Sequence, residues 1–170
     1  MTEDAMANSE PAQQWGRIRS WDGSQHRAFE ELCFQLRDPA PAGWRTVKTA
    51  APDGGVEWYD QAPDGATHGW QVKFVFSVDK LIPQARKSAK TVGANRGNRN
   101  VVRLTIVAPI DMPDPTPETP AGKPREGARQ KWNNAVARWR KELPGLADME
   151  IDFLGAGELL DRLNRTGNEG

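Results

Sequence analysis

Glu57, Gln71 and Lys73 are the side chains of this sequence whose types and spacing could do chemistry together. Glu57 closes the stretch Asp53-Gly54-Gly55-Val56-Glu57, and the other two lie in Gly69-Trp70-Gln71-Val72-Lys73. Glu57 reads as lying at the start of one strand, and Gln71 and Lys73 in the next. Alternate side chains of a strand face the same way, so Gln71 and Lys73 share a face while Val72 points into a core. If the two strands pair as neighbours, all three groups converge on one small volume. A carboxylate, an amide oxygen and an ammonium suit a hard divalent cation, a water molecule and a phosphate, because magnesium takes oxygen ligands and keeps several waters. Such a cation helps to ionise water and neutralises phosphate charge. The lysine would position or activate the water, or stabilise charge developing on a phosphate oxygen.

The elements that must hold these groups follow from periodicity and punctuation. Ser24 is an N-cap for a helix through about Arg37, with Phe29, Leu32, Cys33 and Leu36 as its apolar stripe. Glu30 borders that stripe and Glu31 turns toward solvent. Pro39 and Pro41 end the helix. Trp44 to Lys48 and Val56 to Tyr59 read as strands, joined through a turn at Pro52 to Gly55. Pro63-Asp64-Gly65 signals a second turn leading to a third, central strand from Trp70 to Phe76. An amphipathic helix over 78–92 follows, with Pro83 tolerated only near its first turn. Val101 to Ala108 is a buried strand, and the intervening helix implies a parallel crossover from the third strand.

Residues 109–124 hold six prolines and read as an irregular loop. Ala128, Trp132, Val136, Trp139 and Leu143 mark a helix, Met149 to Phe153 a strand, and Gly157 to Arg165 a last helix burying Leu159, Leu160 and Leu163. The expected fold is α/β, with a mixed central sheet flanked by helices. Residues 1–20 read as a flexible tail, 21–166 as one domain and 167–170 as a tail or linker. The chain's 170 residues suit a single core.

One cysteine excludes an internal disulfide, and Cys33 reads as core rather than nucleophile. With no signal peptide and no long apolar run, the expected location is the cytoplasm, away from membrane. Two histidines and no Cys/His cluster give no support for zinc. Gly93-Ala94-Asn95-Arg96-Gly97 lacks the ending of a P-loop. Net charge is zero, yet the charges are unevenly spread: residues 1–79 carry twelve acidic and seven basic side chains. Residues 80–103 carry Lys80, Arg86, Lys87, Lys90, Arg96, Arg99 and Arg103 and no acid. That stretch is either a phosphate-binding surface beside an acidic site or a solvated face balancing acids elsewhere.

Gly-Gly-Val-Glu followed by Gln-Val-Lys, with Ala28-Phe29-Glu30-Glu31-Leu32 upstream, resembles the Mrr-like branch of the PD-(D/E)XK nucleases. Glu57 stands where that family usually has Asp. The resemblance implies a restriction-endonuclease-like core, metal-dependent cleavage of DNA, and Mg2+ or Mn2+ held by Glu30 and Glu57. It also implies Lys73 as the catalytic lysine and Gln71 as a site member. Arg86, Lys87, Ser88 and Lys90 become candidate phosphate contacts. The Lys87-Ser88 pair and Gly155-Ala156-Gly157-Glu158-Leu159-Leu160 are further similar to nuclease domains fused in front of STAND NTPases of bacterial anti-phage defence. That implies an effector that works as a homo-oligomer with a fused or associated sensor module. Alternatives from the residues themselves are a catalytically silent nuclease fold used for DNA binding or assembly, cleavage of RNA, and a plain Glu57–Lys73 salt bridge between strands.

Overall fold

The computed structural model describes residues 15–50, 54–113 and 126–165. The expected tail over 1–14, Pro52 and Asp53, most of the proline-rich segment, and the expected linker lie outside these. Four helices, α1 (Gln25–Gln35), α2 (Val78–Ala94), α3 (Ala128–Glu142) and α4 (Ala156–Leu163), flank one sheet. The strands are β1 (Arg45–Lys48), β2 (Trp58–Gln61), β3 (Thr67–Val72), β4 (Val101–Val107) and β5 (Glu150–Leu154). The sheet is five-stranded in the order β1-β2-β3-β4-β5. The β1–β2 and β2–β3 pairs are antiparallel, and the β3–β4 and β4–β5 pairs are parallel. The expected mixed sheet, central third strand and parallel crossover are therefore present.

Each face of the sheet is covered. On one, Phe29, Cys33 and Leu36 of α1 and Leu159 of α4 pack with Trp58, Trp70, Val72 and Val107. On the other, Leu81, Ala85 and Ala89 of α2 and Trp132, Val136 and Trp139 of α3 meet Leu104, Ile106 and Ile151. Cover on both sides is why residues 104–107 of β4 are buried without alternation. Burial also drives the Cys33 thiol pKa up, in keeping with a core cysteine.

Caps explain where α1 and α2 begin. Ser24 and Ser77 each accept a hydrogen bond from the backbone N–H three residues on, those of Arg27 and Lys80. Several expectations shift. β2 begins at Trp58 rather than Val56, and β3 spans Thr67–Val72 rather than Trp70–Phe76. Pro83 lies in the second turn of α2, where its ring denies a donor to the carbonyl of Asp79, an exposed residue. Leu163 is exposed, because α4 turns only Leu159 fully inward with Leu160 half-buried. Trp15, within the stretch read as a tail, is 5% exposed and packs edge-on against Phe29.

At the far end of β3 His68 stacks on Trp70 with ring centroids 4.3 Å apart, and its Nε2 lies 2.8 Å from Thr105 Oγ1. Burial, then the nearby Arg103 guanidinium, pushes its pKa down to about 4, against an opposing pull from Asp60 and Asp152. The unfolded chain, with histidine near 6.5, binds the proton that the folded one refuses between those values. Stability therefore falls as pH drops through that window, by up to about 3 kcal/mol. Urea denaturation at about pH 7 and about pH 4 should show this loss shrinking in His68→Gln, which does not titrate. Equal losses in parent and variant would remove His68 as the cause.

Candidate active site

The β2–β3 hairpin builds the site. The Glu57 N–H donates to Trp70 O at 2.7 Å, and Glu57 O accepts from the Thr49 N–H at 2.9 Å, so Glu57 continues the pairing with β1 one step beyond β2. Trp58 is already paired with Trp70, so Glu57 meets β3 off the regular register, close enough for its side chain to reach that of Gln71. Cross-strand neighbours of this kind are in reach of each other. Gln71 Nε2 donates to Glu57 Oε1 at 2.5 Å, and also lies 3.4 Å from Val72 O. Two acceptors around one amide nitrogen fix the orientation of the amide, because the flipped form would set oxygen against oxygen.

The other end of that amide is left bare. Gln71 is 3% exposed, and its Oε1 has no hydrogen-bond partner among the described residues. A buried, unpaired carbonyl oxygen costs free energy, and such groups are rare in folded proteins. Lys73 follows two residues on. Its N–H donates to Val107 O at 2.8 Å, which holds it at the carboxyl ends of β3 and β4. Open α/β sheets bind ligands at that edge.

α1 reaches the same edge. Phe29 packs against Phe74 with centroids 5.3 Å apart, which brings the residue before Glu30 against the residue after Lys73. Glu30 is half-buried and lines a cleft of about 380 Å3 with Trp21, Asp22, Arg27, Glu31 and Lys48. Glu31 is ion-paired with Lys48 of β1, and that hydrogen bond pulls its pKa below the ordinary carboxylate value. Sequence reasoning missed Trp21, Arg27 and Lys48. The signal was the Asp22-Gly23 turn immediately ahead of the Ser24 cap.

The donor set fits a hard divalent cation. Glu57 offers a carboxylate and Gln71 an amide oxygen that nothing else satisfies, and these two meet. Glu30 offers a second carboxylate from the cleft with Trp21 and Lys48, a cleft whose lining includes neither of the other two. Among the described residues no three His, Cys, Asp or Glu side chains cluster as a metal group. A magnesium ion held by two carboxylates and an amide, with water completing its shell, needs no such cluster.

The glycines before Glu57 have a packing role. Gly54 and Gly55 have φ of 65° and 91°. A Cβ on Gly55 would lie 2.7 Å from Ser88 O and 2.8 Å from Val92 Cγ2. The turn is pressed onto α2, so the pair does not need a ligand to explain it. That geometry also buries Ser88, one of the candidate phosphate contacts.

The basic stretch is partly consumed. Arg86 faces Glu142 at 3.5 Å, Arg96 pairs with Asp148, and Arg103 lies 2.5 Å from Asp152 and 3.8 Å from Glu150. The Arg99 guanidinium sits over the Tyr59 ring at 4.4 Å. Lys87 and Lys90 are exposed on α2, as is Lys80. The solvated-face reading thus accounts for Arg86, Arg96 and Arg103, and three lysines remain as a basic stripe along one helix.

No family model, curated protein or solved structure matches the chain. No helix among the described residues is long and apolar enough to cross a membrane. What the site can do must be argued from its own geometry.

Proposed function

We propose that this chain is a metal-dependent endonuclease domain acting on DNA, serving as the effector of a bacterial anti-phage defence protein. The observation that carries the reading is the Glu57–Gln71 pair at the carboxyl edge of the sheet, with an orphaned amide oxygen and Lys73 two residues on. Glu30, Glu57 and the Gln71 oxygen would hold Mg2+ or Mn2+. Bound there, such an ion supplies Lewis acidity and lowers the pKa of water. Gln71 fixes one Glu57 oxygen through its N–H and turns its carbonyl toward the ligand. Lys73 orients the attacking water or stabilises charge on the phosphate in the transition state. The Lys80, Lys87 and Lys90 stripe gives α2 a few phosphate contacts and a shallow salt dependence. With so few contacts, activity draws on local concentration, through self-assembly or a fused sensor module.

A contrast between adjacent carboxylates tests the reading. Losing an outer partner of a metal ligand typically costs about tenfold to a hundredfold in affinity or activity, and a direct ligand at least as much. Glu30→Gln and Glu57→Gln should each lower Mg2+ affinity and plasmid cleavage by at least about tenfold while DNA affinity holds. Glu31→Gln should do little, since it removes only a partly exposed pair with Lys48. A harmful Glu31→Gln beside a silent Glu30→Gln would transfer the role one residue along α1.

A second reading is a catalytically silent nuclease fold that binds DNA or assembles. It is favoured by Glu57 already accepting from Gln71, an arrangement that can serve structure alone. In that case none of the three substitutions changes metal affinity.

A further inference from the structure

Among the described residues Trp21 is the large hydrophobic side chain left most open, at 56% exposure. It is also rigidly held. Its N–H donates to Ser24 O at 3.2 Å and its carbonyl accepts from the Ser24 N–H at 3.1 Å. Asp22 and Gly23 between them have φ of 51° and 75°. Two successive positive φ values make a tight reversal that few other conformations can replace. Asp22 is ion-paired to Arg27, and Ser24 caps α1. Gln25 Nε2 donates to Ile18 O at 2.9 Å and to Gly16 O at 3.2 Å, tying the preceding chain to the same helix.

An exposed indole on a fixed turn offers a flat apolar face, already ordered, to whatever can stack on it. What could cover it is decided by its neighbours. The ring lines the cleft that contains Glu30, with Arg27 and Lys48 as the cations of that cleft. Both cations sit in ion pairs, and the Arg27–Asp22 pair has side chains 62% and 69% exposed. Pairs so open contribute little and yield readily to a phosphate, which binds a guanidinium in two-point fashion. A flat aromatic face, an exchangeable guanidinium and a candidate metal ligand in one cleft match a nucleotide: base, phosphate and scissile linkage. The base must be unstacked to present its face, since in duplex both faces are covered.

We propose that Trp21 is a stacking platform for an unpaired nucleobase next to the scissile phosphate, with Arg27 on the adjoining phosphate. This rests on the nuclease reading of the same cleft. It implies that single-stranded or frayed segments are preferred over intact duplex.

The test uses the chain carrying Lys73→Ala, so that substrate survives, with Mg2+ and a fluorescent deoxyoligonucleotide read by anisotropy. Stacking of one base on an aromatic side chain commonly contributes about five- to a hundredfold in affinity. Trp21→Ala should weaken single-strand binding by about that factor, Trp21→Phe should keep most of it, and duplex affinity should barely change. An oligonucleotide with a run of abasic positions should bind parent and Trp21→Ala alike. A ribonucleotide version shows whether the sugar matters. Circular dichroism melting checks that both variants fold, as expected for an exposed position. Equal single-strand binding by parent and Trp21→Ala overturns the platform and leaves the nuclease reading standing. Absence of binding to every nucleic acid overturns both. Loss of self-association in Trp21→Ala with unchanged DNA binding also overturns the platform and marks a contact between copies.

Discussion

Lys73→Ala should abolish plasmid cleavage in an ordinary gel assay while leaving the fold intact. Removing one group that stabilises developing charge commonly costs about a hundredfold to a thousandfold in rate. The fold should survive because Lys73 is anchored by its backbone N–H to Val107 O, a bond that alanine keeps, and its side chain is only half-buried. EDTA should have the same effect as the substitution, and Mg2+ or Mn2+ should restore the parent alone. Supercoiled plasmid, incubated with each protein with and without metal, gives the result in one experiment. Full activity in Lys73→Ala, with contaminating nuclease excluded by a mock preparation, would remove the lysine from the mechanism. Cleavage that persists in EDTA would remove the metal-dependent reading altogether.

The second large effect is on stability. Gly55→Ala should destabilise the domain by about 2–5 kcal/mol, from strain at positive φ together with overpacking against a helix. The added methyl meets Ser88 O at 2.7 Å and Val92 Cγ2 at 2.8 Å, and neither can retreat without moving α2. Gly54→Ala is the control. Its φ is also positive, at 65°, but the nearest atom is Arg99 Nη1 at 3.5 Å, the end of a flexible side chain. About 1 kcal/mol is expected there. Urea midpoints of the two variants read the difference. Equal losses would mean that backbone conformation, and not contact with α2, sets the cost.

How much of this could be read from residues alone varies with the physics involved. The start of α1 was legible because Ser24 accepts from an N–H three residues on, a local contact. The parallel crossover was legible because an apolar run, a helix and another apolar run leave few topologies. The alternation that placed Gln71 and Lys73 on one face was local as well. Strand ends were less legible. Gly69 looks unlike a strand residue, yet it is buried because β3 lies between two neighbours, a property of the sheet rather than the segment.

Long-range pairing was invisible. Arg86, Arg96 and Arg103 looked like a free basic stretch, and each meets an acid more than forty residues away: Glu142 (|i−j| 56), Asp148 (|i−j| 52) and Asp152 (|i−j| 49). The contact of Gly55 with α2 was hidden for the same reason, since its partner Val92 lies on another element. The exposure of Trp21 was likewise hidden, because composition favours burying every tryptophan.

The two halves of the candidate site differ in how they are reached during folding. Glu57 and Gln71 are separated by 14 residues and joined by a hairpin whose turn is closed by Ala62 N–H to Ala66 O at 2.8 Å. Hairpins of this kind close in about 1–10 μs, and short loops cost little entropy. Lys73 is held by Val107, on a strand that follows it in the chain only after the whole of α2. Such non-local pairings are the slow step in mixed α/β domains. On a ribosome, the carboxylate–amide pair is therefore complete while the chain that fixes the ammonium is still being made. The two proposed ion ligands of the hairpin would then meet before the proposed catalytic lysine is anchored.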